Sequence, residues 1–276
     1  MALTHQRAKG RLSLGFSAAG GRTRLDEVYQ TDPCRVLTPA PDPGEPVTAV
    51  LITTAGGLTG GDSLQLDIAA GVGSDLLCTP QAAEKIYRAT AEETASIDVR
   101  LGAASGARLE WLPQEMILFD GARLRRSVTL DLAGDAICLA GDITVFGRIA
   151  RGERLSEGLL FDRWQIRRDG RLVWTDSLRL DGAIGETLGH PAGFAGAVAQ
   201  ALILAQLPEV AAERDRLRDL IRENGMRAGA TILDGLLLVR LLNDDAAALR
   251  REFALLWAVL RPALGREPVM PRHWRF

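Results

Sequence analysis

Lysine, histidine and cysteine are nearly absent from this chain. Among 276 residues the only lysines are Lys9 and Lys85, and there are three histidines and three cysteines. Cys34, Cys78 and Cys138 are far apart and odd in number. They form no Cys-x-x-Cys or Cys-x-x-His spacing, so neither a disulfide framework nor a zinc site is encoded. His5, His190 and His273 stand in no spacing that pairs them with an acid, and Gly-x-Ser-x-Gly and His-Glu-x-x-His do not occur. No catalytic residue is therefore assigned. His190, in Gly189-His-Pro191, reads as a turn residue and His273 as a solvent residue. Long apolar runs are missing too. Phe194 to Leu207 is interrupted by Gln200 and is too short to span a bilayer. The first 14 residues are basic with no apolar segment behind them, so no signal peptide is expected and the cytoplasm is the expected compartment. A net charge of −2 argues against nucleic acid as a partner.

What the chain does have is glycine and arginine. Arginine is favoured over lysine at protein interfaces because its planar fork binds carboxylates in pairs. The densest glycine segment is Leu51-Ile-Thr-Thr-Ala-Gly-Gly-Leu-Thr-Gly-Gly-Asp62. Phosphate-cradling loops open a helix and end in Lys-Ser/Thr or follow dinucleotide spacing. This one opens a strand, since Leu64, Leu66 and Ile68 alternate with polar residues. Its glycines are expected to serve a tight turn or a close backbone approach.

From about Leu12 to Leu180 the pattern has period two. Leu66-x-Ile68, Val99-x-Leu101 and Leu130-x-Leu132 each run into a Gly/Ala/Asp turn and then a second apolar strand. Recurrence of that kind predicts stacked β layers, either an irregular solenoid or a sandwich. Later the period changes. Pro208 to Asn224 has helical spacing with Gly225 as its terminator, and Asp234-Gly235 fits a type I′ hairpin turn. Asp244 or Asp245 can cap a helix reaching about Arg261, with Leu249, Phe253, Leu256, Trp257 and Leu260 on one stripe. Pro39 to Pro46 is too short to be more than a surface loop. The expectation is a single domain over 1–276, mainly β, with a β body over about 12–185 and a mixed α/β part over about 186–276.

Several charged residues could contribute a site. Asp62 ends the glycine turn, where it could be a functional acid or could fix its own turn. Lys85 lies in a strand pattern. Glu115 and Asp120 bracket an apolar strand, and Asp120-Gly121 reads as a turn. Asp142, Arg148, Arg151, Glu153 and Arg154 form a cluster of mixed charge around Gly147 and Gly152. They could form a rigidifying arginine–carboxylate network or a partner contact.

Gly56-Gly-Leu-Thr-Gly-Gly-Asp62, then Thr79-Pro-Gln-Ala-Ala-Glu-Lys-Ile-Tyr-Arg88, Trp111-Leu-Pro-Gln-Glu115, Ile117-Leu-Phe-Asp-Gly121, Phe146-Gly-Arg148 and Pro271-Arg-His-Trp274 resemble the urease accessory protein D family, in family order. The resemblance runs from Leu12 to Trp274. Glu84, Asp142 and His273 depart from the residues usual there, which are small or hydroxyl, glutamate and aliphatic. The resemblance implies a β-helix-like stack of antiparallel sheets with a few helices. It also implies a non-catalytic scaffold that binds the urease apoprotein, an accessory F protein and a GTP-hydrolysing G protein while nickel is inserted into urease. No firm metal site and no tightly bound cofactor are expected. Nickel in transit would meet oxygen ligands such as Asp62, Glu115, Asp142 and Glu153, since imidazole and thiolate are scarce. Lys85 and Arg148 complete the candidate path or partner contact. Alternatives from the residues alone are a β-solenoid lyase using Asp62, Lys85 and arginines, or a plain structural β protein.

Overall fold

The computed structural model describes residues 7–274, so His5 lies outside the described residues. Two facing sheets carry seventeen strands. The first sheet is built from β1 (Lys9–Ala19), β2 (Arg22–Gln30), β5 (Ser63–Ala70), β8 (Ala95–Ala103), β11 (Arg123–Leu132), β13 (Gly158–Arg168) and β14 (Arg171–Gly182), in the order β14-β13-β11-β8-β5-β1-β2. The second contains β3 (Cys34–Leu37), β4 (Val47–Thr53), β6 (Asp75–Pro80), β9 (Arg108–Trp111), β12 (Ile137–Phe146), β15 (Ala199–Gln206), β16 (Ala228–Leu233) and β17 (Leu236–Asn243), in the order β16-β17-β15-β12-β9-β6-β4-β3. Two short strands, β7 (Glu84–Ile86) and β10 (Glu115–Leu118), pair with each other, and β10 joins β12.

The chain alternates between the sheets, so each coil stacks on the one before it. This is the expected β-helix-like stack. Its internal pairing is parallel, as β1-β5, β5-β8, β8-β11 and β11-β13 show, and antiparallel pairing is found at the ends and in the C-terminal hairpins. A coil that always winds the same way brings successive strands onto one sheet in the same direction. The repeated apolar pairs mark the coils. Leu66 and Ile68 face Val99 and Leu101, which in turn face Val128 and Leu130. The third coil thus registers two residues earlier than Leu130-x-Leu132 implies, and the even slip keeps the same face inward.

Among the described residues three α-helices are interspersed with the last strands: α1 (Ile184–Gly189), α2 (Val210–Glu223) and α3 (Ala246–Leu260). Asp245 caps α3 by accepting from the amides of Ala247 and Ala248 at 2.7 and 3.1 Å. The five predicted stripe residues of α3 are all buried. The hairpin turn at Asp234-Gly235 has both residues at positive φ, 46° and 75°, as a type I′ turn requires. Pro208 lies just before α2 and not in its first turn, because Glu209 is the N-cap.

One apolar cluster fills the space between the sheets, from Leu12 and Leu64 to Leu130 and Trp164. A second lies on the outer face of the second sheet, beneath α2 and α3. β12 is therefore covered on both faces, which explains its nearly unbroken apolar run. Gly141 on β12 leaves room for α3: a Cβ there would lie 2.7 Å from the Trp257 ring.

Candidate functional site

The interior is not packed solid. A cavity of about 220 Å³ lies between the sheets, walled by Leu64, Val99, Trp111, Met116 and Val128 and opening near Arg35, Glu84 and Lys85. A second cavity of about 290 Å³ adjoins Asp176, Phe194, Gln200 and Arg240. Asp142 and Trp164 line both.

Between the two cavities stands a buried ion triad. Arg126 faces inward from β11, Asp162 is its register partner on neighbouring β13, and Asp142 reaches across from β12 on the opposite sheet. The Arg126 guanidinium grips both carboxylates in bidentate fashion, at 2.9 and 2.5 Å to Asp162 and 2.6 and 2.5 Å to Asp142. All three residues are less than 10% exposed: 9% for Arg126, 8% for Asp142 and 6% for Asp162. The Thr144 hydroxyl also donates to Asp142 at 3.2 Å. Burial alone would lower the Arg126 pKa, but the two carboxylates outweigh it and raise it. Burial raises Asp162, which Arg126 offsets only in part, because one guanidinium cannot neutralise two carboxylates.

The sequence-predicted residues are dispersed around this centre. Asp62 is a turn-fixing aspartate: Oδ1 accepts from the Ala8 amide and Oδ2 from the Thr59 amide, each at 2.8 Å. The glycines beside it permit a close approach. Gly57 has φ +152°, and a Cβ there would lie 2.7 Å from the Lys85 carbonyl, which accepts from the Leu58 amide at 2.8 Å. Lys85 itself is exposed at the mouth of the first cavity. Beside it, burial pushes the Glu84 carboxyl above its usual range, while the Thr53 hydroxyl donates to it at 3.0 Å.

Glu115 accepts from Arg250 of α3 at 2.5 Å, and that guanidinium lies 3.7 Å from the centroid of the Trp274 ring, so Glu115 helps to pin the C-terminal segment. Arg148 and Glu153 form a bidentate surface pair at 3.0 and 2.5 Å, with Arg148 over the Phe119 ring. The Arg148 hydrogen bond holds Glu153 below the usual carboxylate range. Asp142 is separate from that pair, since its charged partner is Arg126. Asp120 is more than a turn residue: its Oδ1 accepts from the amide and hydroxyl of Ser156 at 2.8 and 2.6 Å.

The remaining soft ligands are poorly placed for chemistry. Cys34, Cys78 and Cys138 are free and buried, and burial pushes all three thiols up, Cys34 to about 11 and Cys138 to about 12. His190 accepts from the Ala192 amide in its turn. Among the described residues no group of three or more His, Cys, Asp or Glu could hold a metal ion, and no helix is long and apolar enough to cross a membrane.

Arg126 and Asp162 were not among the predicted residues, although their phase betrays them. Leu124, Arg126, Val128 and Leu130 share the inward side of β11, as Leu160, Asp162, Trp164 and Ile166 do on β13. A charge in phase with core residues is the signature of a buried pair.

Fold and interior together define a β-solenoid protein with two helices on one outer face and two voids separated by an arginine–carboxylate bridge. Comparison with known proteins supplies the family. The model of the UreD urease accessory protein family matches residues 8–275, and the chain belongs to that family. It is 44% identical over 274 residues to the urease accessory protein UreD of Magnetococcus marinus, covering 98% of this chain and 94% of that one. It is 40% identical over 269 residues to that of Azorhizobium caulinodans, covering 98% and 97%. To that of Methylobacterium sp. it is 44% identical over 253 residues, covering 89% of each.

Proposed function

We propose that this protein serves urease maturation as a non-catalytic cytoplasmic platform. It binds the urease apoprotein, the accessory F protein and the GTP-hydrolysing G protein while nickel is inserted, and nickel crosses its interior as cargo. Family membership supports the role in maturation. The observation that carries the conduit is the pair of cavities sharing Asp142 and Trp164. Their walls are largely apolar, so a hydrated cation finds no tight ligand set along them and is not retained, which suits passage better than storage. The phosphate chemistry belongs to the G protein, because the glycine-rich loop here ends in Asp62 and leads into β5. The lyase alternative needs Asp62 as a free base, and both its oxygens are already taken by backbone amides.

The test is to co-express urease with its accessory proteins and replace Val99, which walls the first cavity, by phenylalanine. Nickel per urease active site is then measured alongside the yield of soluble complex. A filled cavity should lower nickel severalfold at unchanged yield. Normal nickel in a well-folded Val99→Phe complex overturns the conduit. In a strain lacking the gene, urease polypeptide should be abundant and nearly nickel-free.

A further inference from the structure

We propose that Arg126 is a gate: its guanidinium closes the junction of the two cavities while it bridges Asp142 and Asp162, and the junction opens when it lets go of Asp142. The proposal rests on the conduit reading above and adds a control point to it. Three observations support it.

The first is position. Arg126 and Asp142 line the first cavity, Asp142 and Asp162 line the second, and Trp164 lines both, so the bridge lies where the voids come together. The second is connectivity. Arg126 and Asp162 are register partners on one sheet, whereas Asp142 belongs to the opposite sheet. Breaking the Asp142 pair severs the cross-sheet link and leaves the guanidinium held by Asp162 on its own side, so it is never stranded without a counter-charge. The third is energetic. Buried ion pairs are often no more stabilising than well-packed apolar residues of the same volume, so stability alone does not account for a charged triad between voids. The guanidinium also fills the junction until it moves aside, and two carboxylates on one guanidinium leave a surplus negative charge that favours a passing cation.

Asp162 is thus a positioning residue for the open state, and Arg126 is the moving part. The step is a side-chain rearrangement with no bond made or broken.

The test replaces the triad by an apolar plug of similar volume: Arg126→Met with Asp142→Leu and Asp162→Leu. Thermal stability, yield of soluble complex with urease and its accessory proteins, and nickel per urease active site are measured after supplying Ni²⁺. A gate predicts an unchanged or higher melting temperature, normal yield and at least a fivefold loss of nickel. A merely structural triad predicts unchanged nickel, and that result overturns the gate. If the plugged protein does not fold, Asp162→Asn decides. It leaves the Arg126–Asp142 bridge intact and takes the counter-charge from the open-state partner, so nickel per soluble complex should fall at least threefold, and a smaller change overturns the proposal. Val99→Phe separates the two failures. Nickel lost there but retained in the plugged triad means the passage stands without a gate; nickel retained in both means there is no passage and hence no gate.

Discussion

Arg261 and Arg126 are each held by two carboxylates from different parts of the chain, yet their surroundings differ. Arg261, at the end of α3, is fully buried. It binds Glu110 at 2.9 Å and Glu45 at 2.5 Å, and it also donates to the Val269 carbonyl at 2.5 Å. Glu110 in turn accepts from the Trp257 indole at 2.7 Å. Neither Glu110 nor Arg261 lines either of the two cavities. Arg126, among the described residues, donates only to Asp142 and Asp162; it lines the first cavity, and both of its partners line the second. Similar chemistry therefore does different things. Embedded in packed protein and tied to the backbone, an arginine bridge fastens a helical layer to the solenoid. Set between voids and tied only to side chains, it can change partners.

The largest expected effect is at the fastener. Arg261→Ala strands the Glu110 carboxylate at zero exposure and should cost about 3–5 kcal/mol, read from urea unfolding. Whatever complex remains soluble should carry normal nickel, and soluble complex depleted of nickel would erase the distinction between the two arginines. Arg126→Gln should cost less, roughly 3 kcal/mol, because water in the adjoining cavities can solvate the stranded carboxylates. Equal losses for both substitutions would mean that the cavities confer no relief.

Asp62→Ala comes next. Two backbone amides lose their acceptor, so the cost should be roughly 2 kcal/mol. Soluble yield and nickel should fall in parallel, as expected of a structural turn; nickel falling alone would return Asp62 to the path. The smallest effect is at the cavity mouth. Burial raises the folded-state pKa of Glu84 above its unfolded value, so its contribution to stability is greatest at low pH. That contribution declines as pH climbs from the ordinary glutamate range to the raised value. Glu84→Gln removes the decline. Urea midpoints compared across pH should show the variant gaining on wild type through that window and holding the gain above it.

Much of the fold is readable from residue spacing, because the signals are local. The α3 stripe, its Asp245 cap and the Asp234-Gly235 turn each depend on a few neighbouring residues. The coil recurrence is readable as well, but strand direction is not. Apolar alternation in β8 or β11 is the same whichever way the neighbouring strand runs. The site is harder to read because its partners are far apart in sequence: Arg126, Asp142 and Asp162 meet only once the third and fourth coils have stacked. Nearness along the chain groups Asp142 with Arg148 and Glu153, whereas β12 carries Asp142 into the interior and leaves that pair on the surface.

The contrast between the two arginines can be measured directly by ¹⁵N relaxation dispersion at their Nε–H groups, assigned with Arg126→Lys and Arg261→Lys. A gate at Arg126 requires exchange on the microsecond-to-millisecond scale there and a flat profile at Arg261. Flat profiles at both, with equally slow hydrogen exchange of the two Nε–H groups, would contradict it: Arg126 would then be a second fastener.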